Sequence, residues 1–172
     1  MAKLLLLDCD GTIREPLSGA KFISHPRDQK IIPGADKAIS HYYSKGWSIV
    51  GITNQGGVAA GFKSLEDAIA EQEYTLELFP EIGFIYFCPD FEGNHCWEVS
   101  KTSFASFPAD FAGKEFIGKF RKPNPGMLEV AIMMARALKP ECLYVGDRPE
   151  DEQAATAAGI RFQWADMWRT HR

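Results

Sequence analysis

Short apolar runs alternate along the chain with longer segments in which apolar residues recur every three or four positions. The short runs predict buried strands, because a central strand of a parallel sheet is covered on both faces. They lie at residues 3–8, 47–53, 84–88, 143–145 and 161–163. The longer segments predict helices at residues 35–45, 64–78, 126–138 and 150–158. This alternation is typical of a doubly wound α/β fold, with a parallel sheet and helices on both faces.

Two regions lack a strong periodicity. Residues 11–33 are rich in proline and glycine, and a loop-rich insertion occupies about residues 89–120. Neither region is long enough to form a separate domain over the sheet. At 172 residues, with 45% apolar and 24% charged positions, the chain has the size and composition of one globular unit. We therefore predict a single domain over residues 1–172 without a large cap domain.

Two carboxylates end the first predicted strand, where four leucines run into Asp8-Cys9-Asp10-Gly11-Thr12. A turn is the simplest interpretation, since Asp and Gly are common turn residues. A catalytic pair is the alternative. Carboxylates this close repel each other unless a divalent cation binds, and phosphoryl chemistry uses one as nucleophile and another for proton transfer. The motif alone does not decide between the two.

Three further polar groups follow predicted strands or precede predicted helices. They are Thr53-Asn54-Gln55, Arg121-Lys122 and Gly146-Asp147-Arg148. Hydroxyl and backbone N–H groups at a strand end can bind phosphate oxygens, and a lysine can offset their charge. Each group alone also fits a helix cap or a solvated pair of charges. Because the carboxyl ends of parallel strands meet at one sheet edge, all of them together predict a phosphate site.

These motifs resemble those of the haloacid dehalogenase (HAD) superfamily of phosphatases, over nearly the whole chain. The matching elements are Asp8-Cys9-Asp10-Gly11-Thr12, Thr53-Asn54-Gln55, Lys122 and Gly146-Asp147. The flanking residues are similar to those of the histidinol-phosphate and heptose-bisphosphate phosphatase branch. The polynucleotide kinase 3′-phosphatase domain shares much of the same pattern. The resemblance implies a Rossmann-like, HAD-like fold and a Mg²⁺-dependent phosphomonoesterase.

The resemblance also implies a role for each acid. Asp8 would attack phosphorus and form an aspartyl-phosphate, and Asp10 would protonate the leaving alcohol and then activate water. Mg²⁺ would be bound by Asp8, the backbone carbonyl of Asp10 and Asp147, with Asp151 as a second-tier candidate. Six further residues would bind phosphate or substrate: Thr53, Asn54, Gln55, Arg121, Lys122 and Arg148. Of these, Thr53 and Lys122 would also be catalytic.

The insertion at residues 89–120 differs from the heptose-bisphosphate branch, in which this loop binds a structural zinc ion. Asp90 replaces the histidine of that motif, and Gly118 and Phe120 replace its last two cysteines. Cys88, His95 and Cys96 remain as possible ligands at an atypical spacing. We therefore predict that zinc is absent, and that an aromatic cluster orders the loop instead. Its members would be Phe104, Phe107, Phe111 and Phe116.

Charge and cysteine content limit the partners. A net charge of −4 argues against broad nucleic-acid affinity, and no apolar run reaches the ~20 residues of a membrane span. Four scattered cysteines without a disulfide pattern favour the cytoplasm. We expect a small phosphorylated substrate, such as a sugar phosphate or bisphosphate. A nucleic-acid 3′ end is the alternative substrate, and a noncatalytic HAD-like binding domain is the alternative function.

Overall fold

The computed structural model describes residues 1–108 and 114–170. These residues form nine strands, five α-helices and two short 3-10 turns. The strands are β1 (Leu4–Asp8), β2 (Arg14–Glu15), β3 (Lys30–Ile31), β4 (Ser48–Asn54), β5 (Phe84–Cys88), β6 (His95–Val99), β7 (Phe104–Pro108), β8 (Cys142–Gly146) and β9 (Arg161–Trp164). The helices are α1 (Ala35–Ser44), α2 (Leu65–Leu78), α3 (Gly126–Ala135), α4 (Pro149–Ala158) and α5 (Ala165–Thr170).

Seven of the strands form one sheet in the order β7-β6-β5-β4-β1-β8-β9. Strands β5, β4, β1, β8 and β9 are parallel to one another. β6 pairs antiparallel with β5, and β7 pairs antiparallel with β6. β1 lies between β4 and β8, and Asp8 is level with Ile52. The carboxyl ends of β1, β4 and β8 are therefore adjacent, as the alternation of strands and helices predicts.

The leucines of β1 show why the sheet is covered on both faces. Leu4 and Leu6 belong to an apolar cluster with residues of α3 and α4, and Leu5 and Leu7 to a second cluster with residues of α1, α2 and α5. All four side chains are fully buried. At roughly 1.5–3 kcal/mol for each buried leucine, this strand anchors both halves of the core. The prediction of a doubly wound sheet with helices on both faces is confirmed.

The structure differs from the predictions mainly in regions expected to be loops. Residues 95–108 form the β6–β7 hairpin at the edge of the sheet, and β2 pairs with β3 within residues 11–33. The hairpin was not predicted because the burial of β6 lacks a clean alternation. Helix α3 ends at Ala135 and not at residue 138, because Arg136 adopts a left-handed conformation with φ 51°.

Candidate active site

Asp8 is the last residue of β1, and the chain turns sharply after it. The backbone amides of residues 12–14 all donate to the carbonyl of Cys9. This turn brings Thr12 back toward the strand, and its hydroxyl donates to Asp8 Oδ2 at 2.9 Å. Asp8 is only 5% exposed, so one of its oxygens is fixed by a neutral donor in a buried environment.

The other oxygen of Asp8 is bound by a buried lysine from a distant part of the chain. Lys122 Nζ donates to Asp8 Oδ1 at 2.7 Å and to Asp151 Oδ1 at 2.8 Å. It also contacts the carbonyl of Ile52 at 3.2 Å and the hydroxyl of Tyr144 at 3.0 Å. Burial opposes the charge on Lys122, but Asp8, Tyr144 and Asp151 raise its pKa well above the ordinary value. Lys122 is therefore a fixed cation between two carboxylates.

Asn54, at the end of β4, holds the backbone of this lysine. Its Oδ1 accepts from the Lys122 N–H at 3.1 Å, and its Nδ2 donates to the Lys122 carbonyl at 3.1 Å. Both ends of the side-chain amide are therefore engaged. Any contact of Asn54 with phosphate falls to its backbone N–H, which is the group that the sequence motif predicts for this role.

Three carboxylates from two strand ends and a helix gather beside this lysine. Ligand oxygens of Asp8, Asp147 and Asp151 all lie within 4.8 Å of one another, and among the described residues these form the only such group of three or more possible metal ligands. Asp147 lies directly over Gly11, which has φ +82°. A Cβ added at Gly11 would be 2.1 Å from Asp147 Oδ2, so only glycine leaves room for this carboxylate.

Asp151 differs from the other two acids because each of its oxygens accepts two hydrogen bonds. Oδ1 accepts from Lys122 and from the Tyr144 hydroxyl at 2.7 Å. Oδ2 accepts from the backbone amides of Asp147 at 3.2 Å and Arg148 at 3.1 Å. Four donors around a side chain that is 1% exposed indicate a carboxylate that organises the site.

The pKa values of the three carboxyl groups are shifted in different directions. Burial raises the pKa of Asp8 well above its ordinary value, against the charge of Lys122 and with that of Asp151 and Asp147. Burial and the charge of Asp151 also raise the pKa of Asp147. For Asp151, burial is outweighed by Lys122 and by its hydrogen bonds, so its pKa is lowered. The ionised forms of Asp8 and Asp147 are thus disfavoured by burial in the metal-free site, and oxygen ligands so placed fit a hard divalent cation.

Asp10 is oriented away from this acid cluster. Its carboxylate is part of no group of three ligands, and a backbone metal contact from Asp10 stays a prediction. Arg14 donates from Nε to Oδ1 at 3.1 Å and from Nη2 to Oδ2 at 3.3 Å. Gln55 Nε2 donates to Oδ2 at 3.2 Å, and the Thr53 hydroxyl lies 3.4 Å from the same oxygen. Asp10 keeps 48% of its side chain exposed, so it faces both this donor set and solvent.

Arg14 was missed by the sequence analysis, although it is completely buried beside Asp10. A signal was present in α2, where Glu71, Gln72 and Thr75 interrupt the apolar inward face formed by residues such as Ala68 and Leu76. Buried polar side chains on a helix require a partner. Here the partner is Arg14, which donates to all three of them.

Two arginines predicted to contact substrate lie at the rim. The Arg121 guanidinium stacks 5.2 Å from the Phe91 ring centroid and abuts Gly56 in the loop after β4. Its Nη1 is buried without a hydrogen-bond partner among the described residues. Arg148 is exposed at the start of α4, and its charge partly offsets the raised pKa of Asp147. Arg121 therefore lies beside the loop after β4, and Arg148 lies beside the acid cluster.

The possible zinc ligands of the insertion, Cys88, His95 and Cys96, do not form a metal cluster among the described residues. Cys88 donates to Asp90 Oδ1 at 3.3 Å, and burial raises its pKa to about 12. Asp90 also accepts from the backbone amides of Asn94 and His95. Cys96 is buried in the apolar cluster that contains Cys88. Asp90 thus holds the Cys88 thiol and the backbone of His95, and apolar residues surround Cys96. The predicted absence of zinc stays a prediction.

Aromatic packing in the insertion agrees in part with the prediction. Phe107 and Phe116 are buried, and Phe116 stacks on Phe120 with ring centroids 6.0 Å apart. Phe104 is 54% exposed on the edge strand β7, and its ring packs against Trp97 of β6 with centroids 6.2 Å apart. Phe111 lies outside the described residues. Phe120 thus fills with apolar volume a position where the related loop has a cysteine.

Comparison with known proteins identifies the class that this fold and site define. The sequence model of the polynucleotide kinase 3 phosphatase family matches residues 3–167, and the chain belongs to that family, within the HAD superfamily of phosphatases. It is therefore an enzyme of the phosphoric monoester hydrolase class. Across the described residues, no helix has the length and apolar character needed to cross a membrane.

Particular relatives narrow the comparison. D-glycero-D-manno-heptose-1,7-bisphosphate 7-phosphatase of Chlorobaculum tepidum is 30% identical over 169 residues, covering 93% of this chain and 76% of the relative. A solved HAD-like phosphatase from Mesorhizobium loti aligns with a TM-score of 0.70 at 28% identity, over 92% of this chain and 69% of that one. The D,D-heptose 1,7-bisphosphate phosphatase from B. bronchiseptica, solved with magnesium and phosphate, gives 0.66 at 25% identity, over 93% and 78%.

Proposed function

We propose that this chain hydrolyses a small phosphate monoester through an aspartyl-phosphate on Asp8, with Mg²⁺ as cofactor. The observation that carries the proposal is the placement of Asp8 between a buried cation and the acid cluster. Lys122 Nζ lies 2.7 Å from one oxygen of Asp8, which favours the ionised, nucleophilic form at an otherwise unfavourable buried position. Asp147, directly after β8, would supply the second metal-binding carboxylate.

Two carboxylates of this chain would hold the metal. Asp8 and Asp147 are the members of the cluster whose pKa is raised, so they have the most to gain from a bound cation. Asp151, despite its position in the cluster, would act by fixing Lys122 and the start of α4, since four donors already surround it. When bound, Mg²⁺ supplies charge compensation for the phosphoryl oxygens and for Asp8. The Bordetella homologue was solved with magnesium and phosphate, which supports this choice of metal.

The covalent step follows from the positions of Asp8 and Asp10. An Asp8 oxygen forms a bond to phosphorus while the bond from phosphorus to the ester oxygen breaks. Protonated Asp10 would give its proton to that leaving oxygen, although Arg14 and Lys63 outweigh burial and lower the Asp10 pKa in the substrate-free site. In the second step Asp10 removes a proton from water as the water oxygen attacks phosphorus, and the bond to Asp8 breaks. Inorganic phosphate leaves, and Asp10 is protonated again for the next cycle.

Positive charge and hydrogen-bond donors next to Asp8 would hold the phosphoryl group. Lys122 offsets its charge, and the Thr53 hydroxyl and the backbone after β4 present donors. Arg121 stacks on Phe91 beside the same loop, where its charge would add to that of Lys122. Gln55 contributes indirectly, because its amide is already bonded to Asp10 and to Thr53. Arg148 lies at the metal side of the site.

We propose a sugar phosphate or bisphosphate as the substrate. The support is the agreement of several curated relatives that are named heptose-bisphosphate phosphatases. A nucleic-acid 3′ phosphate is the second candidate, favoured by the family whose sequence model matches the chain. The net charge of −4 favours the small substrate, since a polyanion would be repelled. The intact set of Asp8, Asp10, Lys122 and Asp147 argues against a noncatalytic binding domain.

A substrate screen tests the proposal directly. Purified protein would be assayed with Mg²⁺ against sugar phosphates, sugar bisphosphates, nucleotides and 3′-phosphorylated oligonucleotides, with and without chelator. We expect turnover that requires Mg²⁺ and prefers a sugar phosphate. Asp8→Asn should abolish turnover, because an amide is a poor nucleophile. Full activity in chelator would refute the metal assignment, and phosphate trapped on a residue other than Asp8 would refute the nucleophile.

A further inference from the structure

Five side chains, one of them Asp10, are linked in a closed ring of hydrogen bonds and ion pairs. We call it the Asp10 ring, and its members are Asp10, Arg14, Glu71, Lys63 and Gln55. Arg14 bonds to Asp10 and, through Nη2, to Glu71 Oε2 at 3.0 Å. Lys63 Nζ bonds to Glu71 Oε1 at 2.7 Å and to Gln55 Oε1 at 3.0 Å. Gln55 Nε2 then returns to Asp10 at 3.2 Å.

Arg14 has no free donor in this arrangement. A guanidinium carries five N–H groups in a rigid fork. Its Nε donates to Asp10, Nη2 to Asp10 and Glu71, and Nη1 to Gln72 and Thr75, so that five acceptors match five donors. The residue is completely buried. The plane of the guanidinium, and with it the plane of the Asp10 carboxylate that it binds at both oxygens, is therefore fixed.

Glu71 holds the two cations of the ring. It is 2% exposed on α2 and uses one oxygen for Arg14 and the other for Lys63. Lys63 in turn fixes the orientation of the Gln55 amide, because its ammonium can bond only to the amide oxygen. The amide nitrogen of Gln55 must then face Asp10. A single carboxylate on a helix outside the four motifs thus fixes Arg14 directly and Gln55 through Lys63, and these are two of the three donors to the acid.

We propose that Arg14, held by Glu71, is a positioning residue that sets the orientation of Asp10 for proton transfer to the leaving group. The inference rests on the proposed role of Asp10 as acid and base. Proton transfer requires the donor oxygen within hydrogen-bond reach of the ester oxygen, and a displacement of about 1 Å costs roughly 10²-fold in rate. Nearly half of the Asp10 side chain is exposed, so the ring fixes it from one side and leaves the other open to substrate.

The test separates proton donation from all other steps by changing the leaving group. Phenyl phosphate and 4-nitrophenyl phosphate have similar shapes, but nitrophenolate leaves readily without a proton. In Arg14→Lys, which keeps the charge and loses the fork, kcat/KM for phenyl phosphate should fall roughly 10²-fold. For 4-nitrophenyl phosphate it should fall less than about threefold, since formation of the aspartyl-phosphate needs little help from Asp10. Glu71→Gln should show the same selective loss.

Two controls address stability. Tyr86→Phe removes a hydrogen bond to Glu98 between β5 and β6, away from Asp10, and Glu77→Gln removes an exposed ion pair on α2. Both should keep the wild-type ratio of the two kcat/KM values. The double variant Arg14→Met with Glu71→Leu replaces a buried ion pair by apolar side chains, an exchange that often restores stability. Its Tm should recover relative to Arg14→Met while kcat/KM for phenyl phosphate stays low.

The outcomes are distinguishable. If the wild-type protein hydrolyses neither aryl phosphate nor any substrate of the screen, the proposed function fails. If it hydrolyses both, and Arg14→Lys lowers the two kcat/KM values equally, the positioning role is wrong. Recovery of kcat/KM together with Tm in the double variant would show that Arg14 acts only on stability. A selective loss for phenyl phosphate that persists in a stable double variant supports the inference.

Discussion

Replacing Lys122 by methionine removes the only cation that contacts both Asp8 and Asp151 within the part of the chain that the structure describes. Methionine has a similar length, so the loss is chiefly one of charge and hydrogen bonds. Lys122 is 6% exposed, and water does not easily replace it. The carboxylates of Asp8 and Asp151 would then lie within 4.8 Å of each other without compensation.

The expected loss of stability is large. Removing one partner of a buried ion pair costs about 3–5 kcal/mol, because an uncompensated charge stays buried. At about 2–4 °C per kcal/mol for a chain of this size, Tm should fall by about 6–20 °C. Catalysis should fall as well, by roughly 10²–10³-fold in kcat, since Lys122 is the main electrostatic group beside the phosphate.

Thermal and urea unfolding at neutral pH in chelator measure the first effect. Lys37→Met, at an exposed position of α1, is the matched control and should change stability by no more than about 0.5 kcal/mol. Asp151→Asn with Lys122→Met completes a double-mutant cycle. The double variant should be more stable than the sum of the single changes predicts, by at least about 0.5 kcal/mol.

Two results would refute this reasoning. A loss below about 1 kcal/mol in Lys122→Met would show that the lysine charge is not needed to hold the two acids. Additive single effects in the cycle would show that Lys122 and Asp151 act independently. For catalysis, a near-wild-type kcat measured well below the Tm of the variant would assign the electrostatic role to Arg121 or to another cation.

Two further predictions concern the metal site. In Gly11→Ala the new Cβ would lie 2.1 Å from Asp147 Oδ2, so half-maximal activity should need at least about tenfold more Mg²⁺; Gly19→Ala, with nearly the same φ and no neighbour within 4 Å, should leave that concentration unchanged. The raised pKa values of Asp8 and Asp147 stabilise the metal-free fold below their ordinary value near 3.8, and that stabilisation is lost as pH rises through the raised values. The gain in Tm from Mg²⁺ should therefore grow with pH above 4; a gain independent of pH would contradict this.

The positions of the main site residues could be predicted because they depend on topology. Asp8 ends β1, Thr53 is the second-last residue of β4 and Asp147 directly follows β8, and the carboxyl ends of these parallel strands meet at one edge. Lys122 was predicted to lie in the same site because of the sequence motif around it. The distance of 2.7 Å between Lys122 and Asp8, across 114 residues of sequence, is a property of the folded chain that local patterns do not contain.

The Asp10 ring shows where sequence reasoning stops. Arg14 reaches Glu71, Gln72 and Thr75 across 57 to 61 residues, and no local period links the two segments. For the same reason the double hydrogen bond from Asn54 to the Lys122 backbone was not foreseen. The β6–β7 hairpin was missed for a different reason: an edge hairpin buries only part of each strand, so its pattern of apolar residues is weak.

The place of β1 in the sheet has a consequence for protein synthesis. β1 leaves the ribosome well before one of its neighbours in the sheet, because Leu4 pairs with Cys142. At about 5–20 residues per second, the 138 residues from Leu5 to Cys142 take roughly 7–28 s to make. During that time four leucines have an unpaired edge, which is a template for association with other chains. The strand that ends at Asp8 should therefore be where a ribosome-bound chaperone gives the greatest benefit to the yield of folded enzyme.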